Sequence, residues 1–196
     1  MLIKHPRLSV KKGVLKGIPY MPEDRGDGNP NIGFCPIKGR PEMSIRIPEA
    51  CDEPGLLDAL QRINASHTAF FTSGCEKCYN RLGVKERPVG YVEFIHNSIE
   101  IARDENTYWQ LLTDLDNQMN TNRYSLPVAF EYIVSPTRFN DHFIDGFSAA
   151  VYVRYCGYAT YRLARRKWRE AFSFLTTFLC SIPAGPPPLF YGGNIT

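Results

Sequence analysis

Two cysteines separated by two residues form the sharpest chemical motif of the chain. Cys75 and Cys78 follow a compact predicted strand at 68–73. Thiols at this spacing can form a redox-active disulfide or share a metal ion. A redox site of this kind needs a helix that lowers the pKa of the first thiol, but the segment 79–88 is short and polar. The pattern therefore favours a loop with two ordinary thiols over a redox site.

A zinc ion would need two ligands besides Cys75 and Cys78, because structural zinc sites hold four. Cys35 and Cys51 could supply them, or His67 or His96 could substitute; 15 residues lie between Cys35 and Cys51 and 23 between Cys51 and Cys75. These intervals match no familiar zinc-binding pattern. We therefore expect no metal and no cofactor, with zinc at these four cysteines as the alternative.

The predicted helix 161–182 begins with an unusual concentration of positive charge. Its first two turns contain Arg162, Arg165, Arg166, Lys167 and Arg169. Each cation near a helix N-terminus opposes the helix dipole by about 0.3–1 kcal/mol, so another charge must compensate. The favoured source is a second predicted helix, which carries Asp104, Glu105, Asp114 and Asp116. The alternatives are an acidic protein partner and the phosphates of a nucleic acid.

The last residues form a Pro- and Gly-rich tail, 184–196, with an apolar segment inside it. Pro186 to Pro188 predict an extended polyproline conformation. Phe190 and Tyr191 are too apolar to remain in water, so we expect them to dock. The candidate contacts for a protein partner are therefore Arg162, Arg165, Arg166, Arg169, Phe190 and Tyr191.

The composition is typical of a folded protein: 196 residues, 43% apolar and 22% charged, with a net charge of +3. It excludes a disordered or coiled-coil chain. No apolar run approaches the roughly 20 residues that span a bilayer, and residues 1–17 lack the apolar core of a secretory signal. These features predict a cytoplasmic protein with reduced thiols and no membrane association.

The chain divides into three segments by composition. Residues 1–53 are basic and rich in Pro and Gly, and they predict an irregular arm packed on the domain. Residues 54–183 predict an α+β domain, and residues 184–196 predict a tail. Only the middle segment has sustained strand and helix periodicity.

Within the domain, two strand–strand–helix units follow one another at 66–121 and 126–183, offset by about 60 residues. The two long helices are expected at 104–119 and 161–182. A unit with one apolar face cannot bury that face alone, so the two units should share an antiparallel sheet with both helices on one face. The alternative grouping of the same elements is the ferredoxin-like βαββαβ order.

The second helix predicts the core. Trp168, Phe172, Leu175 and Leu179 recur at helical spacing and form one apolar stripe. Their expected contacts alternate along the strands, as Phe70, Val92, Phe94, Phe130, Tyr132, Val151 and Val153.

No catalytic constellation appears in the sequence, while 11 Tyr, 12 Phe and 2 Trp are available for interfaces. The favoured interpretation is a cytoplasmic, non-catalytic module that binds another protein. The first alternative is a thiol enzyme or a nuclease that uses two long loops, 74–88 and 135–146. The second is nucleic-acid binding through the cluster from Arg162 to Arg169.

Overall fold

Six strands form one mixed sheet in the computed structural model, which describes residues 3–23, 31–82 and 85–184. The strands are β1 (Leu8–Lys12), β2 (Lys16–Ile18), β3 (Phe70–Leu82), β4 (Lys85–His96), β5 (Val128–Phe139) and β6 (Ile144–Tyr155). The helices are α1 (Pro48–Cys51), α2 (Pro54–Ile63), α3 (Ile99–Ala102), α4 (Glu105–Thr121) and α5 (Tyr161–Ser181). Two 3₁₀ turns span Pro41–Arg46 and Asn140–His142. The predicted α+β class is confirmed.

The strand order is β1-β5-β6-β4-β3, and β2 also pairs with β5. The four long strands are antiparallel to their neighbours, whereas β1 and β2 run parallel to β5. The sequence predicted an entirely antiparallel sheet and no strand in the first 40 residues. The pattern could not reveal β1, because Leu8 is its only buried residue and the period-two alternation is absent.

The two loops expected at 74–88 and 135–146 are for the most part strands in the described residues, and this prediction was wrong. β3 continues to Leu82 and β4 begins at Lys85. β5 continues to Phe139 and β6 begins at Ile144. The sequence of both segments is rich in polar residues, which do not distinguish a half-exposed strand from a loop.

The predicted core is confirmed. Trp168, Phe172, Leu175 and Leu179 of α5 are buried in one cluster with the seven predicted strand residues. The indole Nε1 of Trp168 donates to the carbonyl of Val153 at 2.7 Å, which fixes α5 on the sheet. α4 contributes Leu112 and Leu115 to the same cluster. A smaller apolar cluster contains Ile18, Phe71, Ile95, Ala102 and Phe139.

Crossing a lipid bilayer requires a longer and more apolar helix than any in the described part of the chain.

Candidate functional site

A cavity of about 680 Å³ lies along β3, the last strand on one side of the sheet. Six consecutive residues of β3, 72–77, line this cavity. Side chains alternate between the two faces of a sheet, so six consecutive residues reach one cavity only at the edge of the strand. Segments around Gly33 and Glu49 line it from the other side. No described strand pairs with this edge of β3.

The first part of the β3 edge is covered by side chains. The backbone N–H of Thr72 donates to Oδ1 of Asn64 at 3.0 Å. Nζ of Lys38 donates to the carbonyl oxygen of Phe70 at 2.8 Å. Phe70 and Thr72 therefore turn their backbone groups away from β4. Asn64 caps the C-terminus of α2, so this helix end closes the first part of the edge.

A β-bulge follows directly. Thr72 lies opposite Phe94 and Gly74 lies opposite Glu93, so Ser73 has no residue opposite it. A bulge inserts one extra residue into one strand and changes which residues face the partner strand.

The extra residue decides which backbone groups of β3 point to the cavity. In an antiparallel pair, successive residues turn their N–H and C=O groups alternately toward and away from the partner strand. The backbone groups of Thr72 point away from β4. Because the bulge adds one residue, the next residues whose backbone groups point away from β4 are Cys75 and Lys77. Pro88 provides an independent check, because it lies opposite Tyr79 and has no N–H to donate to the ladder. Tyr79 belongs to the same alternating set as Cys75 and Lys77.

The bulge also places polar groups on the cavity wall, because Ser73, Gly74 and Glu93 all line the cavity. Ser73 is 3% exposed, and its Oγ has no hydrogen-bond partner among the described residues. A Cβ on Gly74 would lie 3.2 Å from Oε2 of Glu93 and 3.6 Å from the hydroxyl oxygen of Tyr91, so the glycine lets these groups lie close to the β3 backbone. Nζ of Lys16 donates to the other carboxylate oxygen of Glu93, Oε1. This part of the wall therefore carries a hydroxyl group and a carboxylate.

Carboxylates outnumber ammonium groups in the cavity lining. The carboxylates belong to Glu49, Asp52, Glu76 and Glu93, and the ammonium groups belong to Lys16 and Lys77. Both lysines are already paired. Lys16 binds Glu93, and Nζ of Lys77 lies 3.9 Å from Oδ2 of Asp52. Glu49 and Glu76 have no ion pair within the described ranges. The lining is therefore net negative, and the unpaired charge belongs to Glu49 and Glu76.

Burial changes the protonation of two lining groups. It lowers the pKa of Lys16 to about 8, so at neutral pH the ammonium is still the main form and stays paired with Glu93. It raises the pKa of Tyr91, and the nearby Tyr152, Tyr20 and Glu76 add to that effect. The hydroxyl of Tyr91 therefore remains a neutral donor or acceptor.

Burial disfavours thiolate chemistry at two of the thiols that the sequence singled out. Cys35 and Cys75 both line the cavity, and burial raises the pKa of each. A raised pKa disfavours the thiolate that nucleophilic or redox chemistry requires. Sγ of Cys51 donates to the carbonyl of Ile45 at 2.9 Å. The side chain of Cys78 lies outside the described part of the structure, within which no group of three potential ligands could hold a metal ion.

The basic cluster of α5 is bound by an acid that the sequence did not indicate. Oε2 of Glu53 accepts from Arg165 at 2.8 Å, and Oε1 accepts from Nε of Arg169 at 2.5 Å. Glu53 precedes α2, and its side chain is 1% exposed. The expected pairing with acids of α4 was wrong, because α2 rather than α4 packs against α5.

The remaining arginines of the cluster are on the surface. Nε of Arg166 lies 3.8 Å from Glu170 of the same helix, and Arg162 is exposed in the first turn. The segment 135–146, which the nuclease alternative would use, contains the end of β5 and the start of β6. Arg138 pairs with Asp145 at 2.9 Å across the β5–β6 hairpin. Phe190 and Tyr191 lie outside the described residues.

Sequence reasoning singled out Cys35 and Cys75 of the cavity lining but missed the other residues that build the cavity. One signal was present: Gly74 interrupts a run of strand-forming residues, and a glycine inside a strand often marks a bulge. The roles of Lys38 and Asn64 had no local signal, because both depend on contacts with residues distant in sequence.

The cavity is therefore a polar, net acidic groove beside a strand whose outward backbone groups are unpaired by any described strand. No family model matches this chain, and no curated protein or solved structure matches it at a significant level.

Proposed function

We propose that this protein is a non-catalytic binding module that takes an extended segment of a partner protein along the outer edge of β3. The observation that carries the proposal is the cavity along residues 72–77, into which the backbone groups of Cys75 and Lys77 point. Unpaired strand edges recruit further strands, because main-chain hydrogen bonds supply affinity without requiring a particular sequence. Binding by strand addition uses this property.

The size of the groove favours a single peptide strand. Six residues of β3 extend about 20 Å at roughly 3.3 Å per residue. A cavity of about 680 Å³ is within the usual range for a bound ligand. A second copy of the whole sheet would need open space beside β3, but α1 packs against this strand. A separate extended segment fits the space better than a strand that belongs to another sheet.

The other classes receive less support. An enzyme in the two loops loses its basis, because those segments are paired strands. Nucleic-acid binding through Arg162 to Arg169 receives less support, since two of the four arginines are paired with Glu53. The free thiols of Cys35, Cys51, Cys75, Cys156 and Cys180 fit the proposed location in the reducing cytoplasm.

The proposal is tested by removing one outward N–H. In Lys77→Pro, the ring deletes a donor that points to the cavity and is not used between β3 and β4. The control Lys77→Ala removes the same side chain and keeps the N–H. Both should retain the wild-type circular dichroism spectrum. A random library of displayed short peptides, panned on the wild-type protein, supplies the ligands.

We expect peptides selected on the wild type to bind Lys77→Ala with similar affinity and Lys77→Pro at least tenfold more weakly, as measured by fluorescence anisotropy. Loss of one hydrogen bond that leaves the partner's carbonyl unsatisfied is worth about that much. Equal binding by the two folded variants would overturn the proposal. Glu76→Pro should instead unfold the hairpin, because the N–H of Glu76 faces β4.

We also propose that the two hairpins and their helices arose by duplication of one strand–strand–helix unit. The repeated order β3-β4-α4 and β5-β6-α5 supports this. If the second hairpin repeated the pairing of the first at a uniform offset of 60 residues, Phe130 would lie opposite Cys156 in the β5–β6 ladder. Phe130 lies opposite Val153 instead. The offset must therefore differ between the strands. The alternative ferredoxin-like order needs a last strand at 189–191, which lies outside the described residues.

A further inference from the structure

We infer that the strand bound along β3 carries an arginine or lysine whose side chain lies against the cavity wall at the bulge and contacts Ser73, Glu76 and Glu93. The inference rests on the proposed function, because it requires a strand at the edge of β3. It adds the chemistry of the partner: a basic residue at one position, with apolar neighbours on either side.

The first observation is an unsatisfied buried hydroxyl. Ser73 is 3% exposed and lines the cavity, yet its Oγ bonds to none of the described residues. A buried polar atom without a partner is unfavourable, and most native structures satisfy such atoms. The N–H groups of a guanidinium or ammonium are suitable donors for this oxygen.

The second observation is the carboxylate of Glu93 on the same part of the cavity wall. Glu93 lies opposite Gly74 in the ladder, and a Cβ at Gly74 would lie 3.2 Å from its Oε2. Both residues line the cavity together with Ser73. Glu93 is 5% exposed, and Nζ of Lys16 donates to its Oε1. Oε2 is the acceptor that remains for a cation at this wall.

The third observation is the charge of the lining. Glu49 and Glu76 have no ion pair within the described residues, and both are half-buried. Glu76 lies opposite Tyr91 in the ladder, on the face of β3 that includes Gly74. An acidic side chain from a bound strand would meet carboxylates here, whereas a basic one would be neutralised.

The apolar neighbours follow from strand geometry. Successive side chains of the bound strand point to opposite faces. If one side chain points to the face of β3 that includes Gly74 and Glu76, the residues before and after it point toward the core side of β3, where Cys75 packs against the main apolar cluster. Ile47 and Cys35 line the cavity on that side, and both contact the same cluster. The predicted recognition pattern is therefore apolar–basic–apolar.

The test uses peptides selected from the random displayed library on the wild-type protein. We expect the selected sequences to share an arginine or lysine between two apolar residues. In a synthetic, fluorescently labelled peptide, replacing this basic residue by methionine should weaken binding about tenfold or more, and glutamate should weaken it further. Methionine keeps the length and apolar character of the side chain but removes the charge.

A matched pair of protein variants locates the charge. Glu76→Gln should weaken binding of the basic peptide and leave the methionine peptide unchanged, which is the pattern of a direct interaction in a double-mutant cycle. Glu170→Gln removes a similar carboxylate from the exposed face of α5 and should change neither affinity.

The two proposals fail in different ways. Selected peptides that lose affinity for Lys77→Pro but show no preference for a basic residue would overturn the inference and leave strand addition standing. Selection that enriches no peptide, or peptides that bind Lys77→Pro and Lys77→Ala equally, would overturn the proposed function and this inference with it.

Discussion

The backbone N–H of Thr72 donates to Oδ1 of Asn64 at 3.0 Å, and Nδ2 of Asn64 donates to Oγ1 of the same threonine at 2.7 Å. This reciprocal contact fastens the end of α2 to the edge of β3. It also marks the limit of the covered edge, because the bulge at Ser73 begins with the next residue. Asn64 thus covers the edge of β3 as far as Thr72, and the cavity extends along the edge from Thr72 onward.

Glu53 should be a major contributor to the stability of α5. Glu53→Gln removes the carboxylate that binds Arg165 and Arg169, so two half-buried cations lose this negative charge. The expected loss in the free energy of unfolding is about 2–3 kcal/mol, below the roughly 3–5 kcal/mol of a fully buried pair because both arginines reach water. Chemical denaturation measures the difference.

Glu170→Gln is the matched control for this change. Glu170 pairs with Arg166 and Lys167 on the exposed surface of the same helix. Such pairs contribute at most about 1 kcal/mol. Similar losses for the two variants would contradict the role given to Glu53.

Phe172 should be the most sensitive position of the α5 core. It is completely buried, and its ring centroid lies 4.4 Å from that of Trp168. Truncation in Phe172→Ala leaves a cavity and should lower the free energy of unfolding by about 3–5 kcal/mol. Leu163→Ala truncates an apolar side chain that is 38% exposed on the same helix and should change it by less than about 1 kcal/mol. Thermal melts that coincide for the two variants would show that α5 packs through a different face.

Stability should fall in alkaline solution because of buried phenols. Burial raises the pKa of Tyr108 and Tyr132 above the usual value. Above about pH 10 the unfolded chain loses these protons while the folded chain keeps them, so the unfolded state is favoured. Each such tyrosine lowers the free energy of unfolding by up to about 1.4 kcal/mol per pH unit in this range.

Denaturation midpoints measured across this range test the alkaline effect. Tyr132→Phe removes one buried phenol and should reduce the slope of stability against pH. Tyr158→Phe removes a phenol that is 86% exposed and should leave the slope as in the wild type. A wild-type stability that stays constant above about pH 10 would contradict the burial of these hydroxyls.

The parts of the fold that sequence predicts are those with strong periodicity. The stripe from Trp168 to Leu179 specifies the buried face of α5, because apolar residues every three or four positions have only one way to be buried. The alternation of Val92 and Phe94 specifies the core face of β4 in the same manner. Both patterns are local, and both predictions are confirmed.

The candidate site depends on features that have no such periodicity. The strand end around Glu76 is polar and resembles a loop in sequence, yet it continues the β3–β4 ladder. The partner of Arg165 is 112 residues away, and nothing in the sequence distinguishes Glu53 from the other acids. Gly74 indicated a bulge, but its consequence for the outward groups of Cys75 and Lys77 follows only from the register of the strands.

Amide hydrogen exchange at Cys75 and Lys77 tests the central claim most directly, because it reports on the backbone groups that a bound strand would use. In the free protein we expect both amides to exchange rapidly, while the amide of Glu76, which faces β4, exchanges slowly. A saturating concentration of a selected peptide should slow Cys75 and Lys77 at least tenfold and leave Glu76 unchanged. Amides at Cys75 and Lys77 that are already as protected as Glu76 in the free protein, or that the peptide does not slow, would contradict strand addition at β3.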